Sequence, residues 1–329
     1  MNEKELTSAL GPLAPLYADP TVAEILVDAH DRAYCVDRAG QLKDVPSPFD
    51  SPEALRATID ALLALEGITL TPQKTTGEMI LADGSRLLAV VPPTAVSGPC
   101  FVLRKMTQPL TWESLLERGV LTQQVYDVLV DALRAGVNTL ITGGPGAGKT
   151  TLANLLAESI PPDKRVVIAE PVREMQVRHP RSIHLAAGGS SDVPFGDLVF
   201  KASCMGADWL VIGELYGPEA ARALQILGHG HTGMATTYAN NIEDALARLE
   251  AMCLMANLGL GLGEIRRTVA AAFRLITYQE RLPHGGRRRI THVVELRGVE
   301  NDRYVLQPLF GYDPAGDRLA ATGARPGWE

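Results

Sequence analysis

The stretch from Gly143 to Leu152, GGPGAGKTTL, restricts this chain more than any other part of it. It follows an apolar, β-rich run, Val137 to Thr142, and precedes LANLLAESI, whose spacing predicts a helix. Strand, Gly-x4-Gly-Lys-Thr loop and helix together form the context in which such a loop cradles phosphate. The glycines let main-chain N–H groups converge on phosphate oxygens, and the helix N-terminus adds a partial positive charge. Lys149 is then placed to reach the outer phosphates, and the Thr150 hydroxyl to ligate Mg²⁺. Gly143, Gly144, Pro145, Gly146, Ala147, Gly148, Lys149, Thr150 and Thr151 are therefore the candidate nucleotide-binding set, with ATP and Mg²⁺ as the expected cofactors. A glycine-rich turn that only joins strand to helix is the bland alternative. The flanking elements argue against it.

The 329 residues leave room for two domains, and 46% apolar with 21% charged residues is the composition of a folded chain. A net charge of -7 argues against a surface that tracks a phosphate backbone, so no stable nucleic-acid binding is expected. Cys35, Cys100, Cys204 and Cys253 show no CxxC spacing, which fits a reducing compartment and neither a disulfide framework nor a zinc cluster. The N-terminus shows no secretory signal. The longest nearly apolar segment, Ala251 to Gly263, is interrupted by Asn257 and glycines and is too short to span a bilayer. The expectation is a cytoplasmic protein with no transmembrane segment. No GxSxG elbow organises the Ser, His and Asp residues, so hydrolase chemistry of that kind has no support.

Residues 1–106 read as a small α+β domain: a helix near Lys4 to Leu10, short strands EILVD, AYCVD and QLKDV, and a helix opened by Ser51-Pro52-Glu53. Asp83-Gly84 marks a tight turn before SRLLAVVPP, and FVLRK is the closing strand. The pattern changes at TQPLT, so residues 107–112 are taken as a linker and 113–329 as the second domain. There, NTLIT, RVVIAE, DWLVIGE and GMATTY alternate with helical periods, which predicts a mainly parallel sheet covered on both faces. ITYQERL, RITHVVEL and RYVLQPLF predict appended antiparallel hairpins, with Arg287-Arg288-Arg289 read as a charged hairpin tip. After about Gly311 the Gly/Pro/Ala-rich tail is expected to be loose.

Hydrolysis would need a carboxylate to position water and another to order the metal shell. Strand ends supply both kinds: Glu214 closes WLVIGE and Glu170 closes VVIAE, with Glu174 four residues on. For each, a solvated residue after a strand is an even alternative on spacing alone.

The run MGADWLVIGELYGPEA resembles the Walker B segment of the type II/type IV secretion ATPases, most closely the conjugative-transfer branch. ADGSRLLAVVPP, SGPCFVLRK, LTWESLLERGVLT and GHTGMATTYANNIEDALARLEAM extend the resemblance over nearly the whole chain. It implies a RecA-like ATPase domain behind the N-terminal domain, a homo-hexameric ring, and work at an inner-membrane secretion, conjugation or pilus complex. It also implies roles. Glu214 would polarise the attacking water, Glu170 and Glu174 would be the acidic-box pair near the metal, and His231 would sense the γ-phosphate. Arg86 and Arg104 would approach nucleotide from the N-terminal domain. Pro171, Tyr216 and Tyr238 stand where this family usually has Asp, Arg and a second His, and Cys204 and Gly206 where arginines are frequent. These departures bear on turnover more than on binding. A DNA-translocating motor, a small-molecule kinase and a nucleotide-holding structural ring are the competing readings.

Overall fold

A computed structural model gives the structure of this chain and describes all residues except 1–2, 38–40, 82–83, 106–109, 188–192, 283–286, 315 and 329. The chain divides into two compact units, Met1–Gln108 and Pro109–Glu329. Asp83 of the expected Asp-Gly turn, residues 107–109 of the expected linker, and His284 to Gly286 before the arginine run lie outside the described residues.

The first unit runs α1 (Glu3–Leu10), a 3-10 turn (Gly11–Leu13), α2 (Ala14–Ala18), β1 (Val22–Ala29), β2 (Arg32–Asp37), β3 (Leu42–Val45), α3 (Pro52–Ala64), β4 (Thr76–Ile80), β5 (Arg86–Val90) and β6 (Cys100–Arg104). Its described strands form an antiparallel sheet in the order β3-β2-β1-β6-β5-β4. Helix α3 starts where the sequence dictates: Ser51 Oγ accepts from the Ala54 N–H at 3.2 Å, and Pro52 sits where a missing N–H costs nothing. Leu55, Ile59, Leu62 and Leu63 then recur at helical spacing and are buried on inward residues of the sheet such as Ile25, Val27, Leu87 and Leu103. Each such leucine or isoleucine contributes about 2 kcal/mol by leaving water.

The second unit runs α4 (Trp112–Glu117), α5 (Gln123–Arg134), β7 (Thr139–Gly143), α6 (Lys149–Glu158), β8 (Val166–Glu170), β9 (Ser182–Ala186), α7 (Phe195–Ser203), β10 (Trp209–Glu214), α8 (Ala220–Gly228), β11 (Gly233–Tyr238), α9 (Ile242–Met255), α10 (Leu262–Ala272), β12 (Leu275–Arg281), β13 (Arg288–Glu300), β14 (Arg303–Asp313) and β15 (Arg318–Ala321). The sheet order is β15-β14-β13-β12-β7-β11-β10-β8-β9. From β12 to β9 neighbours are parallel, and β12 to β15 are joined by antiparallel pairing.

The apolar runs of β7, β8 and β10 are buried from end to end because alternate residues serve opposite faces. Leu140, Val167, Ala169, Leu210 and Ile212 pack against α7, α8, α9 and α10. Ile141, Val166, Ile168, Trp209 and Val211 pack against α5 and α6. Helices on both faces leave the carboxyl ends of the parallel strands as the place where loops converge, which is where open α/β sheets bind ligands.

The described residues after Gly311, a segment expected to be loose, are instead ordered. Strand β15 pairs with β14, Leu319 is buried beside Ile290 and Phe310, and Trp328 packs on the same cluster. Composition concealed this because only a few of its residues reach the core. The tail is also held by charge. Glu295, fully buried, accepts from Arg274 Nε at 3.0 Å, Arg297 Nε at 3.2 Å and the Gly327 N–H at 3.0 Å. Both arginines are about half exposed and can hydrate alone, whereas the carboxylate cannot. Replacing both arginines by Ala is therefore expected to cost about 3–5 kcal/mol, and Glu295→Gln only about 1–2. Urea unfolding followed by tryptophan fluorescence checks this for the second unit alone, since Trp112, Trp209 and Trp328 all lie in it. Equal midpoints for the two variants would remove the argument.

Candidate nucleotide site

Strand β7 ends at Gly143, whose backbone must be glycine. Its φ is +152° and a Cβ there would stand 2.1 Å from the Gln279 carbonyl oxygen. Gly143 is flanked in register by Tyr238 of β11 on one side and Gln279 of β12 on the other. The loop ends at Gly148, φ +102°, which caps α6. Lys149 is 7% exposed and lies back along the loop, donating from Nζ to Gly143 O and Gly144 O, each at 3.0 Å. The Tyr238 ring centroid lies 3.6 Å from the same nitrogen, a close cation–π contact. Tyr238, which the sequence marked only as a replacement for histidine, is thus part of the lysine's seat.

The acids stand where strand direction predicts. Glu170 ends β8 and Glu214 ends β10, on the same edge of the sheet as the phosphate loop. Glu170 is 2% exposed; its Oε1 accepts from the N–H groups of Glu174, at 3.0 Å, and Met175, at 2.8 Å. Its Oε2 is buried without a hydrogen-bond partner. Burial pushes the Glu170 carboxyl up from its ordinary range, opposed by those two N–H bonds. Glu214 is likewise pushed up by burial, with Lys149 opposing and Glu174 adding to the rise. A buried carboxylate oxygen lacking a partner and a hydroxyl at Thr150 are hard oxygen donors of the kind Mg²⁺ takes. These residues fit a magnesium ion shared with nucleotide phosphates. Around the histidines His229 and His231, and elsewhere among the described residues, no group of three or more His, Cys, Asp or Glu is set to hold a metal.

Burial draws the Lys149 ammonium down to about 8, against the pull of Glu214 and Glu174. A bound polyphosphate restores the charged form, so above that pH the site takes up a proton as it binds. Nucleotide affinity is expected to be level from pH 6 to 7 and to fall as pH rises through about 8, approaching tenfold per unit. The folded-state stability term has the opposite sign. Between about 8 and the ordinary 10.5 the unfolded chain holds the proton, so this group favours folding more as pH rises through that window. Binding isotherms for ADP at pH 7, 8 and 9 check the first statement; an affinity unchanged at pH 9 would refute it.

The remaining predicted residues belong to other elements. His231 precedes β11, at the end of that strand opposite Tyr238, and its Nδ1 lies 3.2 Å from Ile226 O. The six residues of β11, roughly 20 Å of strand, separate it from the loop edge. Arg86 and Arg104 belong to the first unit. Arg86 of β5 is bonded to Glu78 of β4, and Arg104 Nε donates to Glu24 Oε1 of β1 at 2.7 Å. Tyr216, in place of an arginine, stacks on Phe195 at 6.4 Å. The arginine run is more than a tip: Arg289 is buried and Arg288 Nε donates to Gly146 O of the phosphate loop at 2.8 Å.

A glycine loop between a central parallel strand and its helix, faced by glutamates at the ends of neighbouring strands, defines a P-loop nucleotide-binding domain of RecA-like type. The chain belongs to the type II/IV secretion system protein family, whose model matches residues 7–295. It is 33% identical over 313 residues to a Mycobacterium tuberculosis protein named for conjugal transfer, with 91% of this chain and 87% of that protein covered. It is 29% identical over 308 residues to the conjugal transfer protein TrbB of Rhizobium radiobacter, covering 92% of each. Among solved structures, the pilus retraction motor PilT with bound ADP shares the fold at a TM-score of 0.61 and 16% identity, covering 94% of this chain and 83% of that one. Among the described residues, no helix is long and apolar enough to cross a membrane.

Proposed function

We propose that this chain is the subunit of a cytoplasmic ring, a homo-hexamer, that couples ATP binding and hydrolysis to substrate transfer or pilus biogenesis at an inner-membrane conjugation or type IV secretion complex. The observation that carries this reading is the placement of half-buried Glu214 on the same sheet edge as Lys149 and the phosphate loop. A holder of nucleotide has no need of a carboxylate made more basic by burial at that edge; a hydrolase does.

In the proposed reaction, loop N–H groups and Lys149 bind the phosphates, and Glu214 orients a water and accepts its proton as the water oxygen bonds the γ-phosphorus and the bond from that phosphorus to the β–γ bridging oxygen breaks, releasing ADP and phosphate. Mg²⁺, held by Thr150 and by Glu170 directly or through water, would neutralise phosphate charge when bound. Glu174 N–H fixes the Glu170 carboxylate, and the Glu174 side chain adds negative charge that favours the charged Lys149. Residues 1–106 form the domain that brings Arg86 and Arg104 to nucleotide, 107–112 the linker, and 113–329 the ATPase domain. Each arginine would exchange its carboxylate partner for phosphate on ring closure. ATP and ADP then favour different arrangements of the units, which turns hydrolysis into movement.

A second reading, a ring that holds nucleotide with little turnover, is favoured by Tyr238 and Tyr216 at positions where the family usually carries charge. Light scattering with and without Mg-ATP, run beside phosphate release, separates the two. A hexamer whose Arg86→Ala and Arg104→Ala variants lose turnover about tenfold or more supports the motor. A monomer under every nucleotide condition, or a hexamer without turnover, removes it.

A further inference from the structure

Arg287 immediately precedes β13, and Arg288 and Arg289 open it. Strand alternation sends the outer two to one face and the middle one to the other. Arg287 Nη2 lies 2.9 Å from Asp317 Oδ2, and Arg289 Nη1 lies 2.7 Å from Asp317 Oδ1, where the Tyr312 hydroxyl also donates at 2.7 Å. Asp317, in the turn between β14 and β15, thereby clamps both neighbours, and Arg289 is 7% exposed. Arg288 is aimed at the phosphate loop, with its Nε bonded to the Gly146 carbonyl at 2.8 Å.

Gln279 stands beside it. This side chain is 2% exposed, and its Nε2 has no hydrogen-bond partner. Its Oε1 lies 3.4 Å, and the Arg288 Cδ 3.7 Å, from the point where a Cβ on Gly148 would sit. Both residues therefore border the loop at the entry to α6. An amide N–H buried without a partner costs about 1–3 kcal/mol unless something accepts from it.

Sheet order gives the direction. Glu214 lies two strands from β7 through β11, which sets the side of the terminal phosphate. Strand β12 borders β7 on the other side, so Gln279 and Arg288 flank the loop away from the hydrolytic carboxylates. A nucleotide whose terminal phosphate faces Glu214 presents its α-phosphate and nucleoside to them.

We infer that Arg288 and Gln279 form the wall of the site that holds the α-phosphate and nucleoside end, with Arg288 also positioning the loop through Gly146 and itself set by the Asp317 clamp. The inference rests on the nucleotide site proposed above. It links nucleotide affinity to the C-terminal β14–β15 turn, and it assigns Gln279 a ligand for its orphaned amide.

Equilibrium binding of fluorescent ADP, with pyrophosphate and unlabelled ATP as competitors, tests it on the full chain. Wild type, Arg288→Ala, Arg288→Lys, Asp317→Asn and Lys149→Ala are compared. Arg288→Ala is expected to weaken ADP and ATP alike by about tenfold, the value of one charged hydrogen bond, while pyrophosphate affinity changes less than about threefold. Arg288→Lys recovers part of the loss, because a point charge lacks the guanidinium fork. Asp317→Asn shows a smaller loss of the same pattern. Should Arg288→Ala not fold, the Lys variant and Arg288→Gln make the comparison. ADP affinity within twofold of wild type, or an equal loss for pyrophosphate, overturns the assignment. No binding by wild type removes the nucleotide site itself. Wild-type binding lost in Lys149→Ala but kept in Arg288→Ala removes only this wall.

Discussion

Glu214→Gln is expected to keep nucleotide affinity within about threefold of wild type and to lower turnover by about 10²–10⁴. The substitution is nearly isosteric and sits at the last residue of β10, after the buried run Trp209–Gly213, so the strand has no reason to move. What changes is chemistry: an amide accepts no proton from the attacking water. Glu170 makes a poorer test. Its Oε1 accepts from two main-chain N–H groups, at Glu174 and Met175, and an amide cannot keep both bonds with the same strength. A loss in Glu170→Gln would confuse loop geometry with catalysis, whereas a loss in Glu214→Gln reads on the proton alone. Phosphate release at saturating Mg-ATP, measured beside ADP affinity, gives the answer. Turnover in the variant equal to that of wild type would show that Glu214 is not the base.

That experiment is directed at a residue the sequence already marks, and the reason is strand direction. In a parallel sheet every strand delivers its last residue to one edge, so Glu170 after VVIAE, Glu214 after WLVIGE and the loop after NTLIT fall together once each run is recognised as a strand. The same rule, applied to the histidine box, sends His231 to the opposite edge and Tyr238 to the loop, because the box spans a whole strand. A motif copied as a unit hides this; residue-by-residue strand geometry does not. The cap at Ser51 was equally legible, since it needs only a side-chain oxygen three residues from an N–H. Register was not legible. Arg104 facing Glu24, Gln279 beside Gly143 and Arg288 over Gly146 all depend on which residues come together from strands and loops that are distant in sequence. The order of the last segment was missed for a related reason: β15 is four residues long, and its stability comes from β14 and from Leu319 in the core rather than from its own pattern.

Lys149→Ala is expected to abolish measurable nucleotide binding, a loss of about 100-fold or more, while leaving the fold as stable as wild type or more so. The first part follows from charge: Lys149 is the loop's own cation and the one set against Glu214 and Glu174, so without it the outer phosphates meet those two glutamates with Arg288 left only at the other flank of the loop. The second part follows from burial. The ammonium is nine-tenths out of water, its acceptors are neutral carbonyls of Gly143 and Gly144 and the face of Tyr238, and burial outweighs the attraction of the two glutamates. At neutral pH the folded protein therefore keeps this lysine charged at a cost, and alanine relieves it, in part offset by two carbonyls that lose a donor. Binding strength is thus stored as folding strain at one side chain. Thermal unfolding with and without Mg-ADP separates the two effects. Wild type rises with ligand as mass action requires; the variant starts at an equal or higher midpoint and does not respond. A variant that melts well below wild type without ligand, or that still gains several degrees from ADP, would show that the lysine holds the loop together and does not mainly hold phosphate.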